Sequence, residues 1–209
     1  MTADFEEQSY WHERYQSERL FEWLQPSDFF WNLVEPLLLK FPRQENPPKV
    51  LQLGSGTSDL HNYFRRHGYL DVTNVDFEPL AIERGRQIEE LGFGDIKMKY
   101  VVADVTQLRD NLPEDEIFDV VVDKSTVDAV ACGGDDQLLK MAYGVRKCIA
   151  ERGIWISLSY SADRFSIKKL PFNVEVVHKI PNAKAHELDP DVYHYCYLLR
   201  PIGSMEDEE

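Results

Sequence analysis

Short apolar runs alternate with stretches of helical spacing along most of the chain. The first run, at residues 50–53, stops at a glycine turn, after which Leu60, Tyr63 and Phe64 recur at the spacing of a helix. This alternation predicts strands connected by helices, which is typical of a parallel sheet covered on both faces. The predicted strands are 50–53, 69–75, 97–102, 117–122 and 154–160, and the predicted helices are 28–39, 58–67, 79 to 92 or 94, and 135–150.

The pattern changes near the end of the chain, where two apolar segments, 174–180 and 192–199, follow each other without a helical stretch between them. The connection is too short for a crossover helix, so this pair of strands is predicted to be antiparallel. The sequence therefore predicts an α/β fold: a doubly wound, seven-stranded, mostly parallel Rossmann-like sheet with an antiparallel C-terminal strand. We expect a single domain over 1–209, with a frayed start (1–8), an aromatic arm and helix (9–48), a core (49–200) and an acidic tail (201–209).

Several local signals mark where the elements end. Pro36 is expected to bend or shorten its helix, because proline cannot donate the helical hydrogen bond. Residues 41–48 are typical of a linker, and 151–153 are predicted to turn the chain into the fifth strand. The polar stretch 161–169 is predicted to be a loop.

A glycine turn and a distant carboxylate form the first candidate site. Gly54 and Gly56 follow the first strand, and glycines let a turn adopt positive φ and let a ligand approach the bare backbone. Asp76 lies 22 residues after Gly54, at the tip of the next strand. A carboxylate there can accept hydrogen bonds from a ribose diol, so the pair predicts a nucleoside site.

The residues around the turn favour a nucleoside without phosphates. A dinucleotide fold would have a third glycine where this chain has Asp59, and a carboxylate there would repel a pyrophosphate. The chain also lacks the G-x-x-x-x-G-K-[ST] loop that binds nucleoside triphosphates. S-adenosylmethionine, with its cationic sulfonium and ammonium groups, fits this acidic setting better.

Two further carboxylates follow predicted strands at the same edge of the sheet. Asp104 comes after the third strand and Asp123 ends the fourth. Ligands of open α/β sheets bind beyond the carboxyl ends of the strands, where Gly54 and Asp76 also lie. We therefore expect these four residues around one cavity.

Aromatic residues crowd the segment before the first predicted helix. Trp11 and Tyr15 lie four residues apart, so on a helix they share one face, and Arg14 adjoins that face. Two interpretations remain open at this point. The arm either packs on the domain as a staple, or covers a cofactor with Arg14 near its carboxylate.

The charge balance restricts the classes of partner. The chain has 23 Lys and Arg against 37 Asp and Glu, which gives a formal net charge of −14. Such a surface repels nucleic acid and anionic lipid, whereas a basic protein partner is favoured. No run approaches the roughly 20 apolar residues of a membrane span, and the start does not resemble a signal peptide, so we expect a cytoplasmic protein and favour a monomer.

Cysteines and histidines give no metal signal. Cys132, Cys148 and Cys196 are odd in number and widely spaced, so neither disulfides nor a zinc site is expected. His61 and His67 lie on a charged helix and are expected at the surface.

Several motifs together resemble those of a known family. The chain is similar to class I S-adenosylmethionine-dependent methyltransferases, and within them to the eukaryotic group that includes elongation factor 1A lysine methyltransferases. The resemblance covers about residues 9–200, and its most specific part follows strand four, where Ser125 replaces the family's usual glycine. The motifs are Y-W-x-x-R-Y from Tyr10, E-W at Glu22, LGSGTS from Leu53, VDFEP from Val75, ADV from Ala103, FDVVVDKSTVDA from Phe118 and YHYCYLLR from Tyr193.

This resemblance implies roles for individual residues. Gly54 would underlie the methionine part of the cofactor, Asp76 would hold the ribose, and Phe77 would pack on the adenine. Asp104 and Val105 would contact the edge of the adenine. The remaining implied cofactor residues are Trp11, Arg14, Tyr15, Trp23, Gly56, Asp123 and Lys124.

The reaction class leaves the acceptor open. A lysine acceptor must lose its proton, and Asp123, Asp128 and Tyr160 are candidates to assist, with His194 less favoured. The leading hypothesis is a protein-lysine N-methyltransferase acting on a basic protein such as a translation elongation factor. The alternatives are methylation of a small molecule at nitrogen, oxygen or sulfur, and a cofactor-binding scaffold without catalysis.

Overall fold

The protein is built on one twisted sheet with helices on both faces. The computed structural model describes residues 4–40, 47–182, 186 and 190–203. Over these residues the strand order is β3-β2-β1-β4-β5-β7-β6, with β7 antiparallel to both of its neighbours. The predicted fold class and the antiparallel end are therefore confirmed. The strands are β1 Val50–Leu53, β2 Val72–Asp76, β3 Lys99–Val102, β4 Phe118–Lys124, β5 Ile149–Ser159, β6 Phe172–Pro181 and β7 Tyr193–Pro201.

The helices follow the strands in alternation, as the periodicity predicts. The helix after β2 has clear start and stop signals in its sequence. The Glu78 carboxylate accepts from the backbone N–H of Leu80, Pro79 occupies the first turn, and Gly94 ends the helix in the left-handed conformation with φ of 79°. The helices are α1 Gln8–Ser17, α2 Ser27–Leu38, α3 Leu60–Arg66, α4 Pro79–Phe93, α5 Leu108–Asn111, α6 Thr126–Cys132 and α7 Asp135–Cys148, with a 3-10 turn at Val105–Gln107.

Alternate residues of the central strands feed two apolar layers. Leu51 and Leu53 face one layer, which includes Met141 of α7. Val50 faces the other, which includes Phe64 of α3. Because β1 and β4 are covered on both faces, their sequences are mostly apolar, with Gln52 in β1 and Asp119 in β4 as polar exceptions before the strand tips.

The structure corrects three expectations about elements. Residues 151–153 do not turn the chain, because β5 already begins at Ile149 and pairs there with Phe118, next to a shift in register. The N-terminal segment is not frayed from residue 4 onward, since Phe5 packs on the aromatic arm. His61 is fully buried, because Tyr100 and α4 cover its face of α3.

Other expectations fall partly outside the described residues. These concern 1–3, most of the linker at 41–48, most of the connection before β7 and the tail from 204. Helix α2 ends two residues after Pro36. In the part of the chain that the structure describes, every helix is too short or too polar to cross a membrane.

Candidate functional site

A large cavity opens at the carboxyl ends of the parallel strands. Its volume is about 760 Å³, and the aromatic arm covers one side of it. Gly54, Asp76 and Asp104 all lie on its wall, where they end or follow three different strands. The other predicted cofactor residues on the wall are Trp11, Tyr15, Trp23, Gly56, Phe77, Val105 and Lys124.

The two glycines of the turn are required for different reasons. Both have positive φ, 57° at Gly54 and 51° at Gly56. A Cβ on Gly54 would lie 2.3 Å from Oγ1 of Thr126, whose hydroxyl donates to the carbonyl of Leu53 at 2.9 Å. A Cβ on Gly56 would meet only the hydroxyl of Tyr15, at 3.1 Å. Gly54 therefore admits Thr126 from the start of α6, whereas Gly56 leaves open backbone for a ligand.

Asp76 ties the glycine turn to the second strand. One carboxylate oxygen accepts from the backbone N–H of Gly56 at 2.9 Å, and the other from that of Glu78 at 3.0 Å. Burial raises the pKa of Asp76 to about 6, against the effect of these two donors. The carboxylate is thus held rigidly on the cavity wall and is ionised at neutral pH.

Asp104 also serves as a local cap. Its carboxylate accepts from the backbone N–H of Thr106 at 2.8 Å and from the Gln107 amide at 3.0 Å. This fixes the 3-10 turn, in which Val105 is buried against the cavity. The local role and the predicted role at the cofactor therefore use the same side chain.

The aromatic arm both packs on the domain and covers the cavity. The indole N–H of Trp11 donates to the carbonyl of Phe5 at 2.7 Å, and the rings of Trp11 and Tyr15 lie 5.5 Å apart. The amide of Gln8 donates to the carbonyl of Phe77 at 2.6 Å, which attaches α1 beside the tip of β2. The two interpretations of the arm, a staple and a cover, describe one arrangement.

Arg14 does not line the cavity. Its guanidinium donates to Glu18 at 2.5 Å and to the hydroxyl of Tyr10 at 3.1 Å. The rings of Phe21 and Trp23 each lie 4.7 Å from its carbon atom. Its charge is satisfied within the arm, and its expected contact with a cofactor carboxylate stays a prediction.

Asp123 is also removed from the cavity. It is fully buried and accepts from the indole N–H of Trp155 at 2.8 Å and from the backbone N–H of Val127 at 3.3 Å. Burial raises its pKa to about 7. These bonds fix the start of α6 on the sheet, and Asp123 does not line the cavity. Its expected catalytic or cofactor contact stays a prediction.

Lys124 lines the cavity, but its ammonium binds the arm. It donates to the Glu22 carboxylate, to the carbonyl of Gln25 at 2.9 Å and to that of Trp23 at 3.3 Å. Burial lowers the pKa of Lys124, against the effect of Glu22. The sequence placed this lysine at the cofactor, and could not indicate that its partner lies 102 positions earlier.

Asp128 and Tyr160 lie together on the wall, with a partner that the sequence did not indicate. The Asp128 carboxylate accepts from Ser159, from the backbone N–H of Tyr160 at 3.1 Å and from Arg164 at 2.9 Å. Burial raises its pKa, against these donors. Arg164 comes from the polar stretch predicted as a loop, and its guanidinium lies 5.2 Å from the Tyr160 ring. His194 instead contacts the amide of Gln25 at 3.1 Å.

The cavity wall also contains two buried polar groups that the sequence did not predict as site residues. Gln52 and Ser55 are each 3% exposed, and neither the amide oxygen nor the hydroxyl has a partner among the described residues. The sequence signal that could have indicated Gln52 is a glutamine inside the apolar run VLQL. Burying polar atoms without partners is costly, so a polar ligand in the cavity would relieve that cost. These groups, the open backbone at Gly56 and the carboxylate of Asp76 fit S-adenosylmethionine.

The comparisons identify a methyltransferase domain. A family model described as "Methyltransferase domain" matches residues 45–190. A Neurospora crassa protein named methyltransferase srdJ is 53% identical over 95% of this chain and 84% of its own length.

More distant relatives carry a more specific name. A mouse protein named eEF1A lysine and N-terminal methyltransferase is 31% identical over 73% of this chain, and the chain spans 20% of that protein's length. The solved structure of the N-methyltransferase NodS from Bradyrhizobium japonicum with S-adenosyl-L-homocysteine aligns with a TM-score of 0.62 and 15% identity, over 92% of this chain and 99% of NodS. The family match and the Neurospora relative show that the chain belongs to the methyltransferase domain family and is an S-adenosylmethionine-dependent methyltransferase.

Proposed function

We propose that the protein methylates a lysine side chain of a basic protein, such as a translation elongation factor. The observation that carries this proposal is the charge of the cavity. Among the described residues, five carboxylates line it against two lysines; Lys124 is bonded to Glu22, and Asp128 is bonded to Arg164. A cationic side chain is attracted to such a cavity and an anionic acceptor is repelled. The carboxylates are Glu6, Glu7, Asp76, Asp104 and Asp128.

The cofactor assignment within the cavity is part of the proposal. Asp76 accepts from the ribose hydroxyls, Phe77 lies on the adenine, and Asp104 with Val105 contacts the adenine edge. Gln52 and Ser55 offer their unpaired oxygen atoms to the polar end of the ligand. When bound, S-adenosylmethionine supplies an electrophilic methyl group, and the protein's task is to align the acceptor and exclude water.

The acceptor end of the cavity contains Asp128 and Tyr160. Asp128 is held by Arg164 and by donors at both oxygens, so its role here is to fix the geometry of the wall. Tyr160 is 56% exposed at the cavity rim. An amine that enters between the aromatic arm and this wall loses water, which favours its neutral, nucleophilic form.

The distant relatives and the net charge add support for a protein acceptor. The mouse relative's name states an eEF1A lysine activity, and the net charge of −14 favours encounter with a basic protein. The proposal further takes the protein to be a cytoplasmic monomer that binds neither nucleic acid nor membranes. Imaging of the tagged protein and sedimentation of the purified chain test the location and the oligomeric state.

Labelled cofactor tests the acceptor class directly. The purified chain is incubated with methyl-labelled S-adenosylmethionine and a cell lysate, and labelled bands are digested for mass spectrometry. We expect label on lysine of a basic protein, and loss of that label with Asp76→Ala. Asp71→Ala removes an exposed aspartate just before the same strand and is expected to retain it.

Two other results would contradict the proposal. Label confined to small molecules would instead support a metabolite methyltransferase. Cofactor binding without transfer to any acceptor would support a scaffold.

A further inference from the structure

The ammonium of Lys124 is enclosed by one short segment of the arm. The lysine side chain is only 5% exposed, and its three acceptors all belong to residues 22–25. A buried ammonium needs such acceptors, because an unpaired buried charge is strongly destabilising. The tip of β4 and the arm are therefore fastened together at this point.

Glu22 fastens the same segment to the glycine turn. Its carboxylate accepts from the hydroxyl of Ser27 at 2.9 Å, from that of Ser58 at 3.2 Å and from the backbone N–H of Asp59 at 3.3 Å. Ser58 and Asp59 directly follow the turn that contains Gly56. One carboxylate thus joins the arm, the start of α2, the glycine turn and, through Lys124, strand four.

The fastened segment is a tight turn in an unfavourable conformation. Leu24 has φ of 62°, which residues other than glycine rarely adopt. The backbone N–H of Gln25 donates to the carbonyl of Trp23 at 2.7 Å. Trp23 and Leu24 both line the cavity. Contacts from outside the turn are needed to hold these two side chains over the cavity.

We propose that Glu22 and Lys124 form a clasp that positions residues 22–25 across the cavity and thereby retains the cofactor. The two are positioning residues, and neither contacts the methyl donor. The cofactor enters and leaves when the clasp opens, and stays bound when it is closed. This inference rests on the proposed cofactor site for its binding measurement, but the attachment of the arm is measured without any cofactor.

Limited proteolysis measures the attachment of the arm in the free protein. Arg19 is exposed in the arm, and we expect trypsin to cleave there faster when the neighbouring residues 22–25 are released from the domain. We expect Glu22→Ala and Lys124→Met to accelerate this cleavage by about tenfold or more, because each leaves the other charge without its partner. Lys49→Met is the matched control. It also removes a lysine ion pair, in which Nζ of Lys49 lies 2.9 Å from Oε1 of Glu116, but at the opposite end of the sheet.

Cofactor binding provides the second measurement. We expect both clasp variants to weaken S-adenosylmethionine affinity by about tenfold, mainly through faster dissociation, with the double variant no weaker than the single ones. Lys49→Met is expected to match the wild type. Cooperative thermal melting tests whether each variant is folded. Glu22 lies outside the sheet, so Glu22→Ala leaves the strands unchanged.

Specific results would overturn the clasp. If Lys124→Met weakens binding while Glu22→Ala does not, and Arg19 stays protected in both, Lys124 contacts the cofactor directly. If neither variant alters cleavage at Arg19, the segment is held by other contacts. If the wild type fails to bind the cofactor, the proposed site is wrong, yet the cleavage rates still decide whether the clasp exists.

Discussion

At the scale of single residues, Asp76 combines a structural and a binding role. Replacing it with alanine removes a charged acceptor for the ribose, and we expect cofactor affinity to fall by about 2 kcal/mol. Because burial raises its pKa to about 6, the carboxylate takes up a proton as the pH falls through that value and loses acceptor capacity. Calorimetry between pH 5 and 8 should therefore show affinity decreasing below about pH 6 in the wild type.

Asp76→Asn is the control for that pH dependence. The amide keeps the shape of the side chain but has no proton to gain in this range. Its binding is expected to be weaker and flat with pH. An equal pH dependence in wild type and variant would assign the titration to another group.

Gly54 offers a test of close packing at the turn. Gly54→Ala adds a methyl group 2.3 Å from Thr126 and also places alanine at positive φ. Gly94→Ala has the same backbone cost, with φ of 79°, but its Cβ meets nothing within 4 Å. We expect Gly54→Ala to lower the free energy of unfolding by at least about 1 kcal/mol more than Gly94→Ala in urea titrations. Equal losses would mean that Thr126 moves aside at little cost.

Much of the candidate site follows from sequence because its residues lie at strand ends. Gly54, Asp76 and Asp104 reach one cavity since parallel strands end at one edge of the sheet. The partners of Arg14 and Lys124 could not be predicted in this way. Several carboxylates compete for each cation, and the choice depends on how the arm folds back over the sheet.

At the scale of elements, periodicity predicted the order of strands and helices but not the start of β5. Residues 151–153 are typical of a turn, and the side chains of Glu151 and Arg152 are exposed. They remain extended because β5 pairs with Phe118 before the register shifts at Val120. Such a shift depends on the neighbouring strand, which no local pattern reports.

A buried charge network joins α3, α4 and β3. The Arg65 guanidinium donates to Glu89 and to Asp95, and Glu89 also accepts from the hydroxyl of Tyr100 at 2.9 Å. Glu89 is fully buried, so Glu89→Ala leaves the Arg65 charge without its buried partner. We expect a loss of about 3–5 kcal/mol in the free energy of unfolding, measured by urea denaturation.

The neighbouring residue supplies the control for this network. Glu90 is exposed on the same helix, and Glu90→Ala is expected to change stability by less than about 0.5 kcal/mol. A small effect of Glu89→Ala would show that water replaces the lost partner of Arg65.

At the scale of the whole molecule, buried ionisable groups act on stability in opposite directions. Burial lowers the pKa of His61 to about 4, so the unfolded chain binds more protons between about pH 4 and 6.5, and stability is lost as the pH falls. Burial raises the pKa of Asp123 to about 7, so between about pH 4 and 7 the folded chain binds more protons than the unfolded chain. The stability that Asp123 contributes is therefore lost as the pH rises from about 4 to 7.

Comparing wild type with His61→Leu isolates the histidine. Between pH 7 and pH 5 we expect the wild type to lose about 2 kcal/mol of unfolding free energy relative to the variant. Urea titrations at the two pH values measure this difference. Parallel pH profiles for the two proteins would show that the pKa of His61 is the same in the folded and unfolded states.

The position of β7 between β5 and β6 has a consequence for biosynthesis. A ribosome makes residues 193–201 after all the other strands, yet they occupy an interior slot of the sheet. Until they emerge, the edges of β5 and β6 have no partner and part of the apolar layer is uncovered, a state prone to aggregation. The nascent chain should therefore need chaperone protection late in synthesis, and folding should be completed in a single step once this strand is released.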